Sequence, residues 1–351
     1  MVRASSASCT FLTGGDVAPD REKGKGLFGR LAPLFRDAGY SFLNLEHTLS
    51  RSGRLVAGKG FFHRGAPEMA EGLTEAGLDA LSIANNHIMD YGEEAFFETL
   101  GVLEANSLPA AGAGRSLREA RRPVILERGG LRVGLLAYST TLPQGFAAGP
   151  RSPGVNPLRV KTAYRQQLSH DEYPGTAPQV LTSAVPEDLR RMRRDIRALA
   201  RRADVVLVYQ HWGTSMIHGV HDFQREIGRA AIDAGAHAVF GGHQHVLSAV
   251  EFHRGRPIVH CTGNLIFDKA EPFFTSATRQ TFLFGGTLTK RGVVDPYIVP
   301  CRCGVKEPPA LLSLHRGEGR EIVQMMERLC APFGARLAPK SDRVSLFPPD
   351  G

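Results

Sequence analysis

The sequence predicts an α/β protein in which two sheets pack face to face with helices outside. Apolar runs of strand length alternate with helix-length segments from residue 8 to about 138, which indicates parallel strands joined by helices. After residue 250 the runs come in pairs joined by short turns, which is typical of antiparallel hairpins. A hydrophobic content of 42% over 351 residues is enough to build a large core.

The helices and hairpins follow from local signals. Gly39 and Gly77 stop the first two predicted helices, and Pro67 occupies the first turn of the second. Hairpins are predicted at the Gly129-Gly130 and Arg254-Gly255 turns, and further strands continue to residue 303. The predicted helices span residues 26–38, 67–77, 93–106 and a tail segment within 320–334.

An arginine-rich segment, residues 190–202, accounts for much of the net charge of +8. Leu189, Met192, Ile196 and Leu199 recur at helical spacing and predict one buried helix face, with the arginines solvated on the other. Docking of an acidic partner is the alternative. No aromatic interleaving or nucleic-acid motif accompanies the charge, so we expect no DNA or RNA binding.

Residues 139–186 interrupt the alternation, because they are rich in Pro, Gly, Gln and Ser and have no sustained period. A long irregular stretch inside a compact protein is usually functional or disordered. This insertion could form a lid that covers a pocket and selects the substrate; a flexible insertion without function is the alternative.

Five predicted strands end in side chains that can bind metals. The strand predicted within residues 204–213 ends with His211, and the segment around residue 241 carries His243 and His245. The earlier strands end with Asp16, with Asn44 and Glu46, and with Asn86 and His87. In open α/β sheets ligands bind at the carboxyl ends of the strands. Three imidazoles converging there, with carboxylates and an amide, predict a metal site rather than five separate loop-starting polar residues.

The composition also restricts location. No stretch approaches 18 consecutive apolar residues, so no membrane span is expected. The N-terminus lacks the hydrophobic region of a signal peptide, which favours a cytoplasmic protein. The five cysteines read as buried thiols, and the single C-x-C pair at Cys301 and Cys303 is weak evidence for zinc.

Several motifs together resemble the CapA family, the poly-γ-glutamate capsule-synthesis proteins, which is similar to calcineurin-like metallophosphoesterases. They are GD at 15–16, NLE at 44–46, ANNHIMDYG at 84–92, HWG at 211–213, GGHQHV at 241–246 and GNLIFD from 263. The resemblance covers residues 8–270. We therefore expect one CapA/metallophosphoesterase-like domain over residues 1–300 and a C-terminal extension over residues 301–351.

The resemblance implies a four-layer α/β/β/α sandwich with a dinuclear metal centre. Carried over by position, it assigns roles to eight residues. His87 would contact substrate and protonate the leaving group, and Asp90 would orient nearby groups. One ion would be bound by Asp16 and His245, the second by Asn86, His211 and His243, with Glu46 bridging the two.

Two departures from the phosphoesterase pattern separate this chain from that wider superfamily. Asp16 is followed by Val17 and Ala18, where the phosphoesterases have D-x-H, and Glu46 replaces their bridging aspartate. CapA proteins likewise lack that histidine, so the first departure favours CapA. The first site is then short of one ligand, and we expect it to hold its ion weakly. Membrane-linked CapA proteins carry an N-terminal anchor; we expect none here, which argues against a capsule role.

The predicted function is a metal-dependent hydrolase. Mixed imidazole, carboxylate and amide ligands suit two ions of Mn²⁺, Zn²⁺ or Fe²⁺ better than Ca²⁺. A metal-bound hydroxide would attack a phosphate ester or an amide of a small-molecule or acidic polymer substrate. The alternatives are a non-hydrolytic accessory in γ-glutamyl polymer or peptide-metabolite assembly, and a bond-forming enzyme that uses the same metals.

Other polar residues near the motifs are weaker candidates. Asn264 ends a further strand and could support a ligand, and His47 could line the pocket. His218 and His221 follow HWG and could touch substrate, although surface positions suit them better. His63 and Arg64 are expected to be solvated.

Overall fold

The computed structural model describes residues 7–166, 168–169, 171–269 and 275–349 and shows a mixed α/β protein. Two large sheets dominate the described residues, one of nine strands and one of six, and two-stranded pairs surround them. No helix among the described residues has both the length and the apolar character needed to cross a membrane.

The strands vary from two to eleven residues. In chain order they are β1 (Ser8–Thr13), β2 (Asp16–Ala18), β3 (Tyr40–Asn44), β4 (Thr48–Leu49), β5 (Arg64–Gly65), β6 (Ala80–Ser82), β7 (Ala110–Ala111), β8 (Ala113–Gly114), β9 (Val124–Arg128), β10 (Leu131–Ser139), β11 (Gly154–Val155), β12 (Val160–Arg165), β13 (Gln179–Ala184), β14 (Val205–His211), β15 (Ala238–Gly242), β16 (Val250–His253), β17 (Arg256–Val259), β18 (Asn264–Phe267), β19 (Gln280–Thr289), β20 (Gly292–Arg302), β21 (Ala310–Leu311), β22 (Arg336–Pro339) and β23 (Val344–Phe347).

The helices lie mostly where glycine and proline signals place them. They are α1 (Ala32–Asp37), α2 (Met69–Glu75), α3 (Gly92–Ala105), α4 (Leu117–Ala120), α5 (Pro186–Ala200), α6 (Asp222–Ala234), α7 (Ser276–Arg279) and α8 (Gly317–Cys330). A 3-10 turn, Gly29–Leu31, precedes α1, so the predicted helix 26–38 is shorter than expected. The α5 helix starts at Pro186 and buries Leu189, Met192, Ile196 and Leu199, which confirms its predicted apolar face.

The nine-stranded sheet carries the first group of site residues. Its order is β22-β23-β20-β19-β1-β3-β6-β7, with β21 paired to β20. Strands β1, β3, β6 and β7 are parallel, so the chain leaves each of them at the same edge. Every residue of β3 is buried, as expected for a strand covered on both faces.

The six-stranded sheet carries the second group of site residues, with the order β16-β17-β15-β14-β10-β9. Its four inner strands are parallel, and the hairpin partners β16 and β9 form its antiparallel edges. Both predicted hairpins are confirmed. Gly129, Gly130, Arg254 and Gly255 all have positive φ, and three of these four turn residues are glycine, which adopts that conformation at little cost.

Aromatic side chains join the two large sheets. The ring of Phe240 on β15 lies 5.4 Å from Phe11 on β1, 5.5 Å from Phe42 on β3 and 5.3 Å from Phe284 on β19. Such pairs add stability beyond the apolar area that they bury. The α5 and α6 helices pack against the other side of the six-stranded sheet. The sheets therefore hold the carboxyl ends of β3, β6, β14 and β15 in fixed relation.

Two segments are more regular than the sequence indicates. Residues 139–186 contain β11 and an antiparallel hairpin of β12 and β13, although their strands are too exposed to show an apolar alternation. Near the C-terminus, β22 and β23 join the nine-stranded sheet through β20. Edge strands of mixed polarity give little periodic signal, because only part of each face is buried.

Candidate metal centre

The six predicted ligands lie at the carboxyl-end edge of the two sheets. Asp16 begins β2, which is held beside β18 by the pairing of Asp16 with Asn264. Glu46 and Asn86 come from the segments after β3 and β6, while His211 is the last residue of β14. His243 and His245 follow β15. The parallel register of each sheet therefore brings distant parts of the chain to one place.

The side chains form two groups that share one carboxylate. In the first group, ligand atoms of Asp16, Glu46 and His245 lie within 4.8 Å of one another. In the second, those of Glu46, His211 and His243 do so. Glu46 belongs to both, which is the position expected of a residue between two ions. Buried acidic and imidazole groups of this composition can hold a metal ion.

Glu46 is fully buried, and neither of its carboxylate oxygens has a hydrogen-bond partner. His211 Nε2 lies 3.3 Å and His245 Nε2 3.7 Å from Glu46 Oε1, but neither contact has hydrogen-bond geometry. Burial, and then the charge of Asp16, raises the pKa of Glu46 well above its ordinary value. A buried carboxylate without partners is costly unless a cation neutralises it. The donor set thus fits divalent metals.

Asp16 is held in place by neighbouring donors. Asn44 Nδ2 and the Tyr209 hydroxyl each donate to Asp16 Oδ1 at 2.9 Å, and the backbone N–H of His243 donates to Oδ2 at 2.8 Å. Burial opposes ionisation of Asp16, but the nearby imidazoles of His211 and His245 and the His243 N–H outweigh it, so the pKa is lowered. Three donors therefore fix the position of this carboxylate.

The imidazoles are oriented by the groups behind them. His211 Nδ1 lies 3.3 Å from the Tyr209 hydroxyl, while His211 Nε2 lies 2.7 Å from Asn86 Oδ1. His245 Nδ1 contacts Asn264 Oδ1 at 2.8 Å, which leaves Nε2 directed toward the carboxylates. Partners of this kind fix the tautomer and ring angle of metal-binding histidines. Burial lowers the pKa of His211 to about 4, so its ring is neutral and available as a ligand at neutral pH.

The turn after β15 carries backbone strain. His243 and His245 have φ values of 85° and 57°, in the left-handed region that non-glycine residues rarely adopt. His243 Nδ1 is also buried without a hydrogen-bond partner. Strained residues and unpaired buried polar atoms concentrate at functional sites, where the surrounding structure holds them.

Next to the ligand groups, His87 and Asp90 form a hydrogen-bonded pair, with His87 Nδ1 2.6 Å from Asp90 Oδ2. Lys59 Nζ lies 2.8 Å from Asp90 Oδ1 and donates to the Asn86 carbonyl at 2.8 Å. Burial lowers the pKa of His87 well below its ordinary value. Burial also raises the pKa of Asp90 to about 6, against the opposing effect of Lys59.

The sequence missed three contributors to this arrangement. Tyr209 precedes His211 by two residues on β14, so strand alternation places both on one face, and that signal could have identified it. Lys59 and His63 come from the segment between β4 and β5, and no spacing connects them to the site. The expectation that His63 is solvated is wrong: its ring lies 4.1 Å from that of His87.

The weaker candidates divide into neighbours of the site and structural residues. Asn264 supports His245, and His47 is buried directly after Glu46. His218 Nδ1 contacts the Leu247 carbonyl at 2.7 Å, and His221 caps α6. The thiols of Cys301 and Cys303 are buried and donate to backbone carbonyls.

Comparisons with known proteins agree with the motifs. The family described as bacterial capsule synthesis protein PGA_cap matches residues 10–269. The chain is 28% identical to the PGA biosynthesis protein CapA of Bacillus subtilis, over 76% of this chain and 62% of that protein. It is 26% identical to the capsule biosynthesis protein CapA of Bacillus anthracis, over 82% of this chain and 64% of that protein.

A third relative is a probable polyglutamine synthesis accessory protein of Mycobacterium tuberculosis. It is 25% identical to this chain, over 86% of this chain and 75% of that protein. The matched part spans less than two thirds of the length of both Bacillus proteins.

Proposed function

This chain belongs to the bacterial capsule synthesis protein PGA_cap family, and on that basis we propose that it is a metal-dependent hydrolase. The enzyme would bind two divalent ions, of Mn²⁺, Zn²⁺ or Fe²⁺. Its substrate would be a phosphate ester or an amide of a small molecule or acidic polymer. We also propose that the two sheets and their helices form a four-layer α/β/β/α sandwich.

One observation carries the proposal: a buried carboxylate without hydrogen bonds lies between two sets of donors. Glu46 is within 4.8 Å of both the Asp16 and His245 ligand atoms and the His211 and His243 ligand atoms. An apolar side chain would fill this position at lower cost if the site had only a structural role. Asn86, whose Oδ1 touches His211 Nε2, supplies a further neutral oxygen donor to the second set.

The bound ions would polarise the scissile group and acidify a water molecule near neutral pH. The chain's own residues would manage the remaining proton. Because Asp90 engages His87 Nδ1, Nε2 is the free nitrogen that would take up the proton lost by the attacking water and then pass it to the leaving atom. Asp90 would fix the tautomer and stabilise the imidazolium during transfer, with Lys59 holding Asp90 in place.

Replacement of single ligands tests the proposal. We expect His211→Ala and His243→Ala each to remove metal retention and turnover, because each takes one donor from the same set. Elemental analysis of the purified protein and a panel of phosphoester and amide substrates provide the readouts. His315→Ala, at an exposed histidine, is the matched control and should change neither. Full activity in His211→Ala or His243→Ala would rule out the mechanism.

A second candidate function is non-hydrolytic assistance in γ-glutamyl polymer assembly; the mycobacterial relative is described as a probable polyglutamine synthesis accessory protein. The arginine face of α5 favours it: Arg190, Arg194, Arg197 and Arg201 are exposed at helical spacing. Salt-sensitive binding of polyglutamate without hydrolysis would support this function. Turnover that depends on a nucleotide would instead indicate a bond-forming enzyme.

A further inference from the structure

A cavity of about 530 Å³ adjoins the candidate metal centre, and we refer to it as the cationic cavity. Its walls include His47, Arg51, His63, Arg64 and Lys269. Two of these residues connect it to the centre. His47 follows Glu46 in the chain, and the His63 ring lies against that of His87.

Positive charge predominates in this cavity. Of the carboxylates along its wall, Asp268 is buried and receives two hydrogen bonds from the Arg21 guanidinium, at 2.6 and 3.1 Å. Asp20 has a side chain that is 63% exposed and lies 3.6 Å from Lys306. Both acids are therefore paired with cations other than Arg51, Arg64 and Lys269.

The three cations keep donors for a ligand. Arg51 pairs with Glu68 through one nitrogen, and Arg64 donates to the Ser52 carbonyl through one nitrogen while stacking on Tyr91. A guanidinium has five N–H donors in all, so each retains several. Lys269 donates to the Phe62 carbonyl at 3.0 Å and has three N–H bonds when charged.

The cavity wall also has a polar atom without a partner. His47 is 1% exposed, and its Nε2 makes no hydrogen bond. Buried polar groups of this kind are uncommon in native proteins and call for an explanation such as a missing ligand. A hydrogen-bonding group in the cavity would supply that partner.

A second cavity, of about 400 Å³, lies on the His243 side of the centre and has a different character. Thr162, Thr182, Thr214 and Ser215 line it together with Val160, Val180 and Phe223, and none of its lining residues carries a carboxylate, ammonium or guanidinium group. The cationic cavity thus differs in charge from the cavity that His243 lines.

We propose that the cationic cavity is a subsite for an anionic group of the substrate, a carboxylate or a phosphate. This inference rests on the proposed function, which puts the reacting bond at the candidate metal centre. The uncharged remainder of the substrate then extends toward the cavity that His243 lines. Guanidinium and ammonium groups recognise both kinds of oxyanion through charge-assisted hydrogen bonds.

Calorimetric titration with glutarate and with inorganic phosphate tests the subsite. The purified chain is titrated as isolated and again after EDTA treatment, so that anions bound by metal are distinguished from anions bound by side chains. We expect binding to persist after EDTA and to weaken about tenfold in Arg51→Gln and in Lys269→Gln. Arg320→Gln removes the same charge from an exposed position on α8 and should leave binding unchanged.

The two ligands distinguish the sources of the anion. Tighter binding of glutarate assigns the subsite to a carboxylate, and tighter binding of phosphate assigns it to a phosphoryl group. Absence of binding after EDTA, or equal losses in Arg320→Gln and Lys269→Gln, would overturn the proposal. Arg51→Gln is the variant least expected to disturb folding, because the Arg51 side chain is 62% exposed. Failure of hydrolysis alone would leave this binding result unaffected.

Discussion

At Gly242 the backbone passes so close to the site that no side chain fits. A methyl group there would overlap the Tyr209 hydroxyl and Asp16 Oδ1, the two partners of a 2.9 Å hydrogen bond. We expect Gly242→Ala to cost about 1–3 kcal/mol, because the surrounding groups must shift. Displacement of Asp16 should also lower the metal content of the folded protein. Elemental analysis should show a larger loss of metal than the decrease in folded fraction accounts for.

Gly101 supplies the matched control for this substitution. It lies exposed within α3, and a methyl group added there meets nothing within 4 Å. Gly101→Ala should therefore raise the free energy of unfolding by about 0.5–1 kcal/mol, as alanine usually does inside a helix. Denaturant unfolding of both variants measures the contrast. Equal metal content in Gly242→Ala and wild type would contradict the prediction that displacement of Asp16 weakens metal binding.

The α5 helix is fixed to the chain before the β12–β13 hairpin by one buried carboxylate. Asp188 accepts hydrogen bonds from the Arg159 backbone at 2.9 Å, from the Arg159 guanidinium at 2.7 and 2.9 Å, and from Arg191. Burial opposes ionisation, but these donors outweigh it and lower the pKa of Asp188. We expect Asp188→Asn to cost about 3 kcal/mol, because it leaves the buried Arg191 guanidinium without its counter-charge.

The pH dependence of that loss follows from the direction of the shift. A carboxyl whose folded pKa lies below its ordinary value of 3.8 stabilises the protein above that value, and this contribution is lost as pH falls through the folded pKa. The stability difference between wild type and Asp188→Asn should thus be full at pH 7 and shrink below pH 4. Glu187→Gln, an exposed neighbour, should show little difference at either pH.

At the scale of elements, the sequence predicted the features that hydrophobic periodicity and glycine turns specify. Both hairpins and the apolar face of α5 follow from those signals, and so does the meeting of His211 with His243 and His245, since parallel strands end at one edge. The exposed strands β12 and β13 were missed because they bury no regular face. Loop residues such as Lys59 and His63 reach the site through tertiary packing, and local patterns carry no information about that.

At the scale of the molecule, the candidate ligands connect its two large sheets. Glu46 and Asn86 follow strands of the nine-stranded sheet, while His211 and His243 belong to the six-stranded sheet and the turn after it. An ion bound among them would bind the folded chain and not the unfolded one, because the donors are far apart in sequence. Metal binding should therefore stabilise the whole fold rather than one segment.

Thermal unfolding with and without divalent metal tests this linkage. Added Mn²⁺ or Zn²⁺ should stabilise the EDTA-treated chain by about 2.7 kcal/mol at a free ion concentration 100 times Kd. Glu46→Gln keeps the shape of the side chain but removes the charge shared by both donor groups, so the metal-dependent rise in Tm should disappear. Without metal, Glu46→Gln should be at least as stable as wild type, because it relieves a buried carboxylate that has no hydrogen-bond partner. An identical rise in Tm for both proteins would place the bound ion elsewhere and contradict the assignment of Glu46.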